Sequence, residues 1–193
     1  MTYGYLILAL GVTFWLLPFL RAHQRSHSPN VVNRRARWGM VLQALAYSIL
    51  WQDRFWTRAL PGWRAALSIV LWLLAALLSW TSAQTLAGQF RIDAALGPEH
   101  RLVRSGPYGV MRNPIYTSML LVLSATAVVL APGWLFLLAL SLFGVGTEIR
   151  VRTEEKLLNE RFGEEFQRYK QEVPAYLPYR IVSRSHPTKI APS

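Results

Sequence analysis

The chain has no cysteine. That absence excludes a disulfide framework, a thiolate nucleophile and any Cys-based metal site. Charge is also scarce, at 16% of residues against roughly 25% in soluble domains. Acidic residues are the scarcest, ten against 21 Lys and Arg, which leaves a formal net charge of +11. The four histidines (His23, His27, His100, His186) show no metal-ligand spacing. His23 and His27 stand four apart, but with no carboxylate beside them. There is no Walker motif, no GxGxxG and no GxSxG. A nucleotide-like cofactor would therefore be held by something other than a Rossmann crevice. Internal repeats and low-complexity segments are absent too.

What is abundant is apolar sequence, 52% of 193 residues, a length that fits one domain. Residues 2–20 carry no charge, about the ~20 positions a spanning helix needs. They lack the basic start and small-residue cleavage site of a signal peptide, so they read as a retained helix. Further apolar runs cover 38–52, 63–90, 115–131 and 134–147, with Pro132-Gly133 as a turn signal between the last two. Those two are short and read as a tight helical hairpin. Six of the eight Trp (Trp38, Trp51, Trp56, Trp63, Trp80, Trp134) lie near the ends of these runs, where an amphipathic ring suits a bilayer interface. The expected fold is all-α: a polytopic membrane protein of about five transmembrane helices.

Basic residues set the expected topology. With five crossings, eighteen of the 21 Lys and Arg fall on one side and three on the other. A count of four or six crossings loses that contrast. The positive-inside rule then puts the N-terminus outside and the C-terminus in the cytoplasm, as for a bacterial inner membrane. Because the basic residues lie between apolar runs, they point to membrane lipids and not to nucleic acid.

Residues 148–172 read as a charged cytoplasmic helix. Leu158, Phe162, Phe166 and Tyr169 recur at helical spacing, and the same stripe extended backwards by fours meets Glu154 and Arg150. Two opposite charges on a packed face near a membrane are costly and commonly mark a site, yet an i,i+4 ion pair has the same spacing. The neighbouring charges, Glu155, Lys156, Glu160, Arg161, Glu164, Glu165 and Arg168, are read as mostly solvated. The second polar concentration is 99–116, EHRLVRSGPYGVMRNPIY, where Asn113-Pro114 suits a helix start with Asn as cap and Pro at the first helical position. It equally fits a plain basic loop before a capped helix. The short turn at 132–133 should bring both segments together at the cytoplasmic face.

The two segments resemble the isoprenylcysteine carboxyl methyltransferase family and its membrane methyltransferase relatives, among them phospholipid N-methyltransferases and small-thiol methyltransferases. The matching residues are His100-Arg101-Leu102-Val103, Ser105-Gly106-Pro107-Tyr108 and Arg112-Asn113-Pro114-Ile115-Tyr116. Downstream come Arg150, Thr153-Glu154-Glu155, Leu158, Phe162-Gly163-Glu164-Glu165-Phe166, Tyr169, Val173-Pro174 and Leu177-Pro178. The likeness covers 90–180, about half the chain. One departure is Asn113, where the family usually has His; Asn can cap and hydrogen-bond but cannot carry a proton.

The resemblance implies S-adenosylmethionine as methyl donor. It divides the single domain into three N-terminal transmembrane helices (1–90), a cofactor-binding catalytic region (91–180) and a tail (181–193). Carried over, His100, Arg101, Leu102, Val103, Tyr108, Asn113, Pro114, Ile115, Tyr116 and Glu154 would contact the cofactor, with Asp93 at the loop entrance. Arg150 would face a lipophilic methyl acceptor entering from the bilayer, and Arg150 and Glu154 would form the catalytic pair. No metal is implied. Two other classes share parts of this pattern. A steroid-reductase-like membrane protein would bind NADPH, and a non-catalytic lipid-binding protein would bind no cofactor.

Overall fold

The computed structural model describes residues 2–23, 34–51, 60–86 and 102–176. Among them every regular element is helical. In chain order these are α1 (Thr2–His23), α2 (Arg34–Ser48), α3 (Gly62–Leu86), a single 3-10 turn at Gly106–Gly109, α4 (Pro114–Leu130), α5 (Gly133–Phe162) and α6 (Glu164–Glu172). The expected apolar runs thus fall on helices, although α2 starts in the basic segment at Arg34 and ends at Ser48, short of the expected 38–52. Three of them, within Tyr3–Arg21, Gly62–Leu86 and Gly133–Phe162, are long and apolar enough to cross a membrane. α4 is apolar but has 17 residues, and α2 has 15. Their outward faces are apolar as lipid requires: Leu6, Leu10 and Phe14 on α1, Leu73 and Leu77 on α3, and Leu137 and Val145 on α5 are all exposed.

Two expectations change. First, α5 does not end with its apolar run. It continues for 30 residues, about 45 Å against a hydrocarbon layer of roughly 30 Å, so the helix runs on well past its apolar part and carries the charges of 148–162 in its second half. The charged helix read as 148–172 is instead the end of α5 plus α6. The break is Gly163, whose φ of 48° few side chains tolerate. Glu164 and Glu165 then occupy the first turn of α6, where acidic side chains complement the helix dipole. Second, α4 and α5 do not form a closely packed pair. α4 lies mainly against α3, and α5 mainly against α2.

Small side chains explain that choice of partners. α3 turns Ser68, Ala75, Ser79 and Ala83 inwards, which lets α1 and α4 approach closely. Their hydroxyls are satisfied across the interfaces. Ser68 donates to the Ala125 carbonyl at 3.0 Å, and Ser79 donates to that of Trp15 at 3.1 Å. The Trp15 indole N–H donates to Ser118 Oγ at 3.1 Å. On the other side, Ala46 and Leu50 pack with Leu123 and Ala127 of α4 and with Leu135, Ala139 and Phe143 of α5.

The two ends of the bundle differ chemically. At one end Arg64 donates to the Ala131 carbonyl at 3.0 Å and so satisfies the C-terminus of α4. The opposite end gathers the start of α4, the end of α3 near Gly106 and the charged half of α5.

Candidate functional site

Three sequence-expected residues meet at that second end. Pro114, fully buried at the first position of α4, fixes where the helix begins and so where Tyr116 stands. The Tyr116 hydroxyl donates to Glu154 Oε1 across the α4–α5 gap. An Nη of Arg150 lies 3.6 Å from the same carboxylate oxygen. The guanidinium also sits over the Tyr116 ring, 5.4 Å from its centroid. Arg150 is 8% exposed, in keeping with its place on the packed stripe. The Glu154 side chain is partly exposed, at 30%.

Tyr108 borders this group from the 3-10 turn. Burial chiefly pushes its hydroxyl pKa well up, and the Glu154 charge adds to that, so it remains a neutral donor and acceptor. Gly106 holds the turn with a φ of 56°. A Cβ there would lie 2.7 Å from Thr85 Oγ1, which ties the turn to the end of α3. The turn is bound to α6 as well. The Tyr169 hydroxyl donates to the Tyr108 carbonyl at 2.7 Å, and Arg104 stacks 5.2 Å from the Tyr169 ring while donating to the Glu165 carbonyl. Burial pushes Tyr169 up to about 12, with Arg112 and Arg104 opposing it.

Other expected residues stand on the supporting side. Leu102 packs on Phe166, Tyr169 and Val173, and Ile115 packs on Phe19 and Ala83. Val103 is partly buried. Asn113 occupies the cap position of α4, but its side chain makes no capping bond, contrary to the expectation. Its amide donates instead to the Ala175 carbonyl at 3.1 Å, beside its own backbone N–H at 3.0 Å. His100, Arg101 and Asp93 lie outside the described residues.

The strap at 173–176 explains Asn113. It runs alongside the start of α4 in the same direction, taking hydrogen bonds from the Arg112 N–H at Pro174, from Asn113 at Ala175 and from Thr117 Oγ1 at Tyr176. The Tyr176 hydroxyl then reaches Glu148 of α5 at 3.2 Å.

Glu155 corrects the reading of it as a solvated charge. Its carboxylate takes Arg112 at 2.8 Å and Lys170 at 2.6 Å, and its side chain is 16% exposed. Together the three join the start of α4, α5 and α6. The signal was available, because 155 precedes Leu158 and Phe162 at three and seven positions, one helical face. Lys156, Glu160, Glu164 and Arg168 are exposed as expected. Gly39 of α2 gave no sequence signal. A Cβ on it would meet Arg150 Cγ at 2.5 Å and the Gly146 carbonyl at 2.6 Å.

Among the described residues no group of His, Cys, Asp and Glu is placed to hold a metal ion. No curated protein matches the chain. Residues 63–165, just over half of it, match the model of the phospholipid methyltransferase family. That span contains Tyr108, Tyr116, Arg150 and Glu154, and with the apolar helices it makes the chain an integral membrane protein. The chain belongs to the phospholipid methyltransferase family, membrane-embedded methyltransferases related to the isoprenylcysteine carboxyl methyltransferases.

Proposed function

We propose that this protein transfers a methyl group from S-adenosylmethionine to the carboxylate of a lipophilic, isoprenylcysteine-like acceptor. The observation that carries the reading is the convergence of Tyr116, Glu154 and Arg150 at the polar end of an apolar bundle. The residues suit the donor. A carboxylate near two tyrosines complements a sulfonium and an ammonium. Glu154, Tyr108 and Tyr116 would hold it, with 100–103, Pro114 and Ile115 beside it and Asn113 supporting the site through the strap. When bound, S-adenosylmethionine supplies an electrophilic methyl group.

The chain's own residues position and desolvate. Arg150 orients the acceptor carboxylate through a planar, charge-assisted fork. Such an acceptor is already an anion, so no general base is needed and alignment carries the rate. Apolar surfaces on α1, α3 and α5 leave the acceptor's tail in lipid. In this reading five helices cross a bacterial inner membrane, with the N-terminus outside and the site cytoplasmic, where the donor is made.

A second acceptor class is favoured by the family match, the headgroup amine of a phospholipid. A third, small-thiol methylation, needs only the same donor site. Incubating the purified protein in lipid with isotopically labelled donor, a prenylcysteine analogue and phosphatidylethanolamine separates these by which product carries the label. Thermal shifts with S-adenosylhomocysteine and with NADPH, run side by side, test the donor. Stabilisation by NADPH alone would replace methyl transfer with reduction, and stabilisation by neither would leave a non-catalytic lipid-binding protein.

A further inference from the structure

We infer that Gly39 of α2 is a positioning residue for Arg150, and so a determinant of how the acceptor's charged end is held. This rests on the reading of Arg150 as the acceptor-facing residue. Gly39 lies outside the family-matched residues 63–165, in the half of the chain that carries no motif.

The geometry is that of a slot. α2 and α5 cross with almost no side chain between them at this level: the Cβ sites of Gly39 and Gly146 each face the other's carbonyl, at 2.6 and 2.7 Å. One turn along α2 and one residue along α5, Gln43 donates to Thr147 Oγ1 at 2.9 Å, a buried bond that fixes the register of the crossing. The Arg150 stem then lies across Gly39. Its Cγ and Cδ are 2.5 and 3.3 Å from where a Cβ would stand. An arginine buried to 8% exposure needs apolar contact along its stem and polar partners at its head. The absent side chain of Gly39 provides the first, and Tyr116 and Glu154 provide the second.

A methyl group at position 39 would displace Cγ by about 1 Å to reach ordinary van der Waals distance. Cγ sits near the root of the side chain, so the displacement is carried to the guanidinium. Shifts of that size at a reacting group cost up to about a hundredfold in rate.

The test is Gly39→Ala in the full chain, reconstituted in lipid and assayed with labelled donor and whichever of the prenylcysteine analogue or phosphatidylethanolamine is turned over. Acceptor KM is expected to rise tenfold or more, with S-adenosylhomocysteine affinity changing far less. A structural role alone would not separate the two. A second measurement does not depend on turnover. Thermal unfolding of Gly39→Ala, Arg150→Ala and the double variant forms a cycle in which truncating Arg150 relieves part of the Gly39→Ala loss. Gly146→Ala is the comparison: its nearest neighbours are the Gly39 carbonyl, Leu42 and Gln43, and its loss should add to that of Arg150→Ala without relief. If methyl transfer fails with every acceptor while the cycle shows relief, the functional reading falls and the Gly39–Arg150 coupling stands. An unchanged KM in an active enzyme, or strict additivity in the cycle, overturns the inference. Should Gly39→Ala not fold, recovery of folded double variant supports it. Failure of both to fold overturns it, because the damage would then lie in the helix crossing itself.

Discussion

The Tyr116 hydroxyl donates to the Glu154 carboxylate across 38 positions of sequence, joining the first turn of α4 to the charged half of α5. Arg150 lies against both partners, beside the oxygen of one and over the ring of the other. The three side chains therefore act as a unit, and changing one disturbs the other two.

Glu154 should govern donor binding. Glu154→Ala removes the carboxylate that, in the proposed reading, faces the donor's cationic groups, so S-adenosylhomocysteine affinity should fall at least tenfold and turnover should cease. Tyr116→Phe, which deletes a single hydrogen bond to a charged group, should cost about 2 kcal/mol of that unit and about tenfold in the same affinity. Calorimetric titration checks both. Equal affinity in wild type and Glu154→Ala would remove Glu154 from the donor site.

Arg150 should govern the acceptor. Arg150→Ala should abolish turnover while leaving more donor affinity than Glu154→Ala does. Arg150→Lys keeps the charge but loses the planar fork and the stacking on Tyr116, so acceptor KM should rise about tenfold or more. Initial rates over a range of acceptor concentrations decide this. A lysine variant with wild-type KM would show that only charge is required.

Asn113 should act through the strap. Asn113→Ala loses the amide bond to Ala175, worth about 1 kcal/mol, and should speed proteolytic cutting near 173–176 with a smaller effect on donor affinity than Glu154→Ala. Asn113→His keeps a ring donor at the position and should be cut more slowly than the alanine variant. A loss of donor affinity in Asn113→Ala as large as that in Glu154→Ala would place Asn113 at the donor instead.

Glu155 should matter to stability more than to chemistry. Glu155→Ala takes the carboxylate from Arg112, whose side chain is 10% exposed and keeps the Lys170 and Val173 carbonyls as partners, and it frees the Lys170 ammonium. A loss of about 2 kcal/mol is expected, less than for a fully buried pair because Lys170 remains half in solvent. Unfolding of the detergent-solubilised protein measures it. A variant as stable as wild type would reduce the triad to surface decoration.

Much of the architecture is legible in the sequence, because its causes are local. Uncharged runs give the helices, Pro132-Gly133 gives the turn between α4 and α5, and Asn113-Pro114 gives the start of α4. The stripe through Leu158, Phe162 and Phe166, extended backwards, puts Arg150 on the packed face, and Arg150 is indeed buried there. Helical periodicity reports which face a residue shares, and that is enough to mark a buried charge.

Periodicity does not report what that face meets. Nothing local tells that α4 leaves its sequence neighbour for α3, since the choice depends on how the Ser and Ala surfaces of two distant helices fit. The Asn113 amide could equally have capped α4, and only the return of the chain at Ala175 diverts it. Glu155 reads as a surface charge until Arg112 and Lys170 converge on it from two other elements. Gly39 carries no signal at all, because its function is the space it leaves for a side chain far away in sequence. The sequence by itself determined the helices, the burial of Arg150 and the two polar segments that meet at one end of the bundle. The tertiary structure alone decided their partners, because hydrogen bonds and close packing act over a few ångströms and the chain must first be folded to bring distant residues within that range.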